Sequence, residues 1–296
     1  MNYQIIQKKN IWLSISIAMF VVAVAALVMW GLKLGIDYTG GSMLEAKFEQ
    51  RPDVATIENK LKDLELGSLV VQPAGDNELS LRFQDSTEEK HQAVISKLKE
   101  LDKNVEEISF EFVGPSIGAE LKKKSINAIL LVLLAVVIYI SIAFKKVSRP
   151  VASWKYGVSA LVAMAHDVII TLGVFAALGR FYGIEINTAF VAAILTVLGY
   201  SIHDTIVVFD RTRENLPKSD EDFEGTVNTS VNQTLGRSIN TSITSLLALM
   251  AIVLFGGESI KPFALALTIG IFIGSYSSIF VASPLLVVWE KLGKKA

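Results

Sequence analysis

The chain has 296 residues, 51% of them hydrophobic and 19% charged, and its 29 acids against 28 bases leave a net charge of −1. A mean hydropathy of +0.47 is too high for an ordinary soluble domain, so the apolar and the charged residues must be segregated along the chain. Near-neutrality excludes a strongly basic nucleic-acid binder. The absence of cysteine excludes disulfides, cysteine-bound zinc, iron–sulfur clusters and thiol catalysis.

The segregation is plain in the charges. Residues 35–121 hold 18 acids and 9 bases, whereas the remainder holds 11 acids and 19 bases. Around the acidic block lie six apolar runs long enough to cross a hydrocarbon core of about 30 Å. They are Ile11 to Leu32, Ser125 to Phe144, Gly157 to Leu178, Ile186 to Phe209, Ser238 to Phe255 and Phe263 to Trp289, the last with Pro284 near its end. The first run follows Lys8 and Lys9 but is too long for a signal-peptide core, and it reads as an uncleaved anchor.

Lys and Arg near the span ends give the orientation. Lys8, Lys9, Lys145, Lys146, Arg149, Lys155, Arg211, Arg213, Lys218, Arg237, Lys291, Lys294 and Lys295 fall on one side, thirteen against Arg180 and Lys261 in the opposite loops. Both termini are therefore expected in the cytoplasm and the acidic block outside. Lys122, Lys123 and Lys124 run against this assignment, but large translocated domains obey the rule weakly.

The acidic block reads as alternating short elements. Met43 to Glu49 alternates as a half-buried strand, and Val54, Ile57, Leu61 and Leu64 have helical spacing. Ser68 to Gln72 and Leu79 to Phe83 are further strands. Ser86 with Glu89 is a capping-box signature opening a helix through Val94, Leu98 and Leu101, and Val105 to Val113 is a last strand. The order βαββαβ predicts a ferredoxin-like domain. The fold class expected is thus an α+β membrane protein. It divides into residues 1–34 (N-terminus and first span), 35–121 (external domain) and 122–296 (five further spans, the 4–5 loop and the tail). His91 reads as a solvated helix residue. No GxSxG, HExxH or phosphate-binding loop occurs, so no enzyme, cofactor or metal is expected.

The informative residues lie inside the spans. His166-Asp167 interrupts the third run and His203-Asp204 the fourth. An acid at a helix centre costs about 2.5–3.5 kcal/mol on insertion scales, so its presence calls for a use, and His and Asp both exchange protons. In the fifth run Thr226, Ser230, Gln233, Arg237, Asn240 and Thr244 recur at steps of four and three, making one helix face polar. Asp204 lies six residues from Asp210, a rise of about 9 Å, and a snorkelling Arg237 on a neighbouring antiparallel helix can reach that depth. Asp204 and Arg237 are the proton-pathway candidates. His203, Asp167, His166 and Asn240 serve either that pathway or helix packing, since intramembrane polar groups often only join helices. Gly270 and Gly274 form GxxxG, a seam for close packing.

These residues also resemble a known family. Gly35-Ile-Asp-Tyr-Thr-Gly-Gly41 and Val113-Gly-Pro-Ser-Ile-Gly118 are similar to signatures of SecD and SecF proteins, with Tyr38 where the family usually carries Phe. Tyr200-Ser-Ile-His-Asp-Thr-Ile-Val-Val-Phe-Asp-Arg211, Thr234-Leu-Gly-Arg-Ser-Ile-Asn-Thr-Ser242, Lys261-Pro-Phe-Ala264 and Gly274-Ser-Tyr-Ser-Ser278 resemble the SecF spans specifically. The resemblance implies an accessory export subunit built as half of an RND-type transporter. It implies partnership with SecD, the SecYEG channel and a translocating unfolded polypeptide, and use of the proton gradient through the positions of Asp204 and Arg237. The rival is an autonomous RND-like proton-coupled transporter of small molecules or lipids, disfavoured by the single six-span unit.

Overall fold

The computed structural model describes residues 3–84, 87–144, 151–257 and 260–295. Ser86 of the capping box, and Lys145, Lys146 and Arg149 of the 2–3 loop, lie outside them. The chain divides into two compact units, Met1–Lys33 with Asn127–Ala296, and Leu34–Ile126.

In the helical unit a 3-10 turn, Ile6–Lys8, leads into α1 (Lys9–Trp30). The short α2 (Ile36–Thr39), β1 (Gly41–Lys47), α3 (Val54–Leu61), β2 (Val70–Pro73), β3 (Glu78–Phe83), α4 (Glu88–Lys99) and β4 (Glu106–Val113) follow in the other unit. The chain returns through α5 (Pro115–Ala143) to α6 (Ser153–Tyr182), α7 (Thr188–Asn215), α8 (Phe223–Phe255) and α9 (Lys261–Ser277). A π-helical segment, Ser278–Ala282, joins α9 to α10 (Ser283–Lys295). Six helical stretches are long and apolar enough to cross a membrane, matching the six runs in the sequence, and large side chains such as Val22, Leu131 and Leu247 stand exposed on them. Such surfaces suit lipid rather than water.

The ends of the stretches differ from the sequence reading. The second helix starts at Pro115, so Lys122, Lys123 and Lys124 lie within it. Proline is favoured in a first turn, where its missing N–H is not needed. The sixth stretch is not one α-helix: Pro284 cannot donate to a carbonyl one turn back, and the chain widens into a π-turn just before it. There the Ser283 hydroxyl donates to the Ser278 carbonyl at 2.9 Å.

Helix α6 packs on α1, α7 and α9, and α9 packs on α7 and α8. Small residues permit this. A Cβ on Gly173 would collide with Ala23 of α1, one on Gly270 with Val197 of α7, and one on Gly274 would meet Ser201 at 3.0 Å. The core of this unit includes a ring cluster, with Tyr156 stacked on Phe144 at 5.4 Å and edge-on to Phe209 at 5.3 Å.

The smaller unit has the βαββαβ order read from the sequence. Its four strands pair antiparallel in the order β2-β3-β1-β4. Leu44 and Ala46 of β1 face Leu81 and Leu79 of β3 across the ladder, and all four are fully buried with Ile57, Leu61, Val94 and Leu98 of the helices. The β1–β4 register shifts at Glu45/Ala46, so Ile108 has no strand partner and is left 48% exposed. His91 is not the solvated residue expected. It is buried, with Nδ1 at 3.2 Å from Glu88 and Nε2 at 3.2 Å from Glu107, and its ring stacks on Phe110 at 3.6 Å. The aromatic neighbour arrives from β4, a pairing that helical spacing alone does not reveal.

The two glycine-bearing motifs meet within this unit. Gly40 and Gly41 have φ of +73° and +119°, conformations costly for any residue with a Cβ. A Cβ on Gly40 would lie 2.9 Å from Pro115 Cα, and one on Gly118 would lie 3.1 Å from the Gly40 nitrogen. The first motif is thus a turn onto which the second motif seats the start of α5. Tyr38 is buried beside them, and its hydroxyl lies 3.2 Å from that of Ser125. Burial pushes its phenol up from the ordinary value.

Candidate functional site within the helical bundle

The ionisable residues singled out in the spans do not form one cluster. Asp167 and His166 of α6 and Asp204 of α7 are buried, whereas His203, Arg237 and Asn240 are exposed on the surface of this chain.

Asp167 is the deepest, at 0% exposure. Its Oδ2 accepts from the hydroxyls of Ser201 at 2.6 Å and Ser277 at 2.7 Å, and its Oδ1 lies 3.0 Å from His166 Nδ1. One carboxylate therefore joins three helical stretches. A carboxylate accepts only, so it suits two hydroxyl donors and an imidazole N–H together.

Asp204 is 3% exposed. The Ser238 side chain of α8 lies beside it, and His203 and Arg237 are near enough to act on it electrostatically. Its Oδ2 is buried without a hydrogen-bond partner among the described residues. Arg237 instead lines a polar cleft of about 330 Å³ between α7 and α8, with Val207, Asp210, Arg211, Glu214, Gln233 and Thr234. The cleft is braced by Arg211 donating to Gln233 at 2.6 Å and to Glu214 at 2.8 Å, and by Asn215 donating to Ser230 at 2.9 Å.

The polar face of α8 thus differs from the straight one read from the sequence. The packed residues are Thr226, Ser230, Thr234, Ser238 and Ser242, each four apart. The straight set leaves this seam after Ser230, and Gln233, Arg237, Asn240 and Thr244 point outward. A row at steps of four is inclined to the helix axis and is the ridge by which helices interlock. It runs from α7 to α9, where Ser242 meets the hydroxyl of Ser275 at 2.6 Å. Ser238 and Ser201 were not singled out from the sequence. Their signal was the four-residue row and the approach permitted by Gly274.

The termini gather at one end of this unit. Asn228 Oδ1 accepts from the backbone N–H groups of Ile5 at 3.0 Å and Ile6 at 3.2 Å. Glu224 pairs with both Lys9 and Lys291.

Six membrane-crossing stretches, buried acids between them and one small α/β unit define a multi-pass membrane protein with ionisable groups inside its bundle. The family model for the protein export membrane protein SecD/SecF, C-terminal, matches residues 93–292, and that for the SecD/SecF GG motif matches residues 27–50. Protein translocase subunit SecF of Thermobaculum terrenum is 44% identical over 279 residues, covering 89% of this chain and 86% of the relative. That of Haemophilus influenzae is 42% identical, covering 90% and 80%. The crystal structure of SecDF, a translocon-associated membrane protein from Thermus thermophilus, superposes with a TM-score of 0.85 at 31% identity. The superposition covers 98% of this chain and 39% of that one, so this chain spans about two-fifths of the SecDF length. The chain belongs to the SecD/SecF family of protein export membrane proteins, on its SecF side.

Proposed function

We propose that this chain is the SecF subunit of the Sec protein translocase. It sits in the cytoplasmic membrane with both termini inside and the α/β unit outside. It works with a separate SecD chain beside the SecYEG channel, without enzymatic chemistry, and uses the proton gradient to promote late steps of export of an unfolded polypeptide. SecD supplies the larger share of the SecDF length that this chain lacks.

The observation that carries the proton reading is the state of Asp204. It is a buried acid on a membrane helix, with one oxygen unpartnered among the described residues and a polar cleft beginning one turn away at Val207. The cleft brings protons to the carboxylate, and Arg237 at its wall sets the field that the carboxylate feels. His203 and Asn240 are exposed on this chain as Arg237 is, and on this reading they face the SecD half. One charge crossing 100 mV is worth about 2.3 kcal/mol, enough to bias a two-state arrangement tens-fold.

The test is export of a secretory precursor in SecF-depleted cells supplied with this chain and its own SecD, at matched membrane levels. The chain restores export and Asp204→Asn does not. Restoration by both would keep the export role and remove Asp204 from the proton path.

A further inference from the structure

The Asp167 cluster has no part in that pathway as drawn, yet it brackets Asp204. Ser201, which donates to Asp167, lies three residues before Asp204 on α7, and Thr205 lies one after it. Thr205 donates to the Ser278 hydroxyl at 3.0 Å, and Ser278 shares its own hydrogen between the carbonyls of Ser201 at 3.1 Å and Gly274 at 2.9 Å. The adjacent serines at the junction of α9 and the π-turn therefore grip two helices, Ser277 holding α6 through Asp167 and Ser278 holding α7. They sit at the start of the π-turn, Ser278–Ala282, and both are fully buried. Single π-turns inside helices concentrate at functional sites.

We propose that Asp167 is a positioning residue for Asp204. As an acceptor of the Ser201 and Ser277 hydroxyls it ties α7 to the π-turn of α9, and so fixes the depth and rotation of the helical turn carrying Asp204. An amide or a protonated acid in its place can still accept both hydroxyls on one oxygen, but without the negative charge that strengthens those bonds, and it turns a donor toward His166 Nδ1, so the two ties weaken together. The inference rests on Asp204 as the proton carrier. The charged or titratable groups facing the two acids are His166 for Asp167, and His203 and Arg237 for Asp204.

The test uses the chain in complex with its SecD, reconstituted in vesicles under an imposed proton gradient, with proton entry read by an internal pH dye. Asp167→Asn, and separately Ser201→Ala with Ser277→Ala, lower proton entry roughly tenfold, the scale of one charge-assisted hydrogen bond, and move the pH of half-maximal entry. The Ala pair serves if Asp167→Asn does not accumulate. A second readout does not depend on proton flux: amide hydrogen exchange of the α7 segment 198–206 and of segment 271–279, from α9 into the π-turn, in the same complex. Asp167→Asn quickens exchange there roughly tenfold, as expected for loss of a charged hydrogen bond, and Asp204→Asn leaves it unchanged. Unaltered proton entry, pH profile and exchange in Asp167→Asn overturn the proposal. If Asp204→Asn conducts normally, the proton reading falls on its own, and the exchange still decides the tie.

Discussion

Asp204 and Arg237 stand on neighbouring helices without forming an ion pair; the α8 side chain beside the Asp204 carboxylate is that of Ser238, the next residue along. The arginine is held out in the cleft, on a surface of this chain that its own helices leave uncovered. Stability and activity should therefore separate at this pair.

Arg237→Ala is expected to change the unfolding free energy by no more than about 0.5 kcal/mol, as for exposed positions generally, while abolishing gradient-driven proton entry. Thermal unfolding in detergent and vesicle flux, measured on one preparation, check both halves. A large loss of stability would mean that Arg237 holds the bundle together.

Asn228→Ala removes the single acceptor shared by the Ile5 and Ile6 N–H groups, both buried. Two orphaned donors cost about 1–3 kcal/mol. The expected outcome is a lower unfolding temperature with protease cleavage newly admitted before Lys9. An unchanged cleavage pattern would show that Asn232, which holds Tyr3 at 2.7 Å, suffices to fix the N-terminus.

Gly40→Ala forces a Cβ against the Pro115 backbone at a positive φ, whereas a Cβ at Gly114 meets nothing within 4 Å. The first substitution should destabilise the smaller unit by about 1–3 kcal/mol and the second by less than about 1 kcal/mol. Hydrogen exchange of β1 and β4 peptides in the full chain distinguishes them.

The Lys60 ammonium, 2.6 Å from Glu100, holds that carboxyl below the ordinary range. A depressed folded-state value stabilises the fold above the unfolded value of about 4.3 and loses that contribution as pH falls through the folded value. Protection of α3 and α4 amides, taken relative to their intrinsic exchange rates at each pH, should therefore fall as pH drops below about 4.3, and Glu100→Gln should flatten the dependence. The group is exposed, so the effect is small.

The six spans were legible because lipid demands long apolar runs, and the βαββαβ order because alternating and helical spacings are distinct. What escaped depends on which element arrives from elsewhere. His91 carries no mark of Phe110, which comes to it across the sheet from β4. In α8 the sequence offers two polar rows that share Thr226 and Ser230, and only the crossing angle of the neighbouring helices selects the inclined one. The intramembrane acids were legible as residues that need a reason, whereas Ser201 and Ser277 became part of the same site only once Gly274 let α9 approach α7. The glycine motifs were legible as a pattern, but their cause, a turn roofed by Pro115, required the fold.

The unused polar row of α8 bears on how the protein is kept in a cell. Arg237, Asn240 and Thr244 are exposed on the surface of their own bundle, along a helix 33 residues long. Left bare in a membrane, that row sets polar groups against hydrocarbon, and Arg237, just before the apolar run that starts at Ser238, escapes only by snorkelling to the interface. An orphan copy carries that penalty for its whole lifetime. If the proposed SecD chain covers that row, the abundance of this chain is expected to follow the supply of SecD rather than its own rate of synthesis.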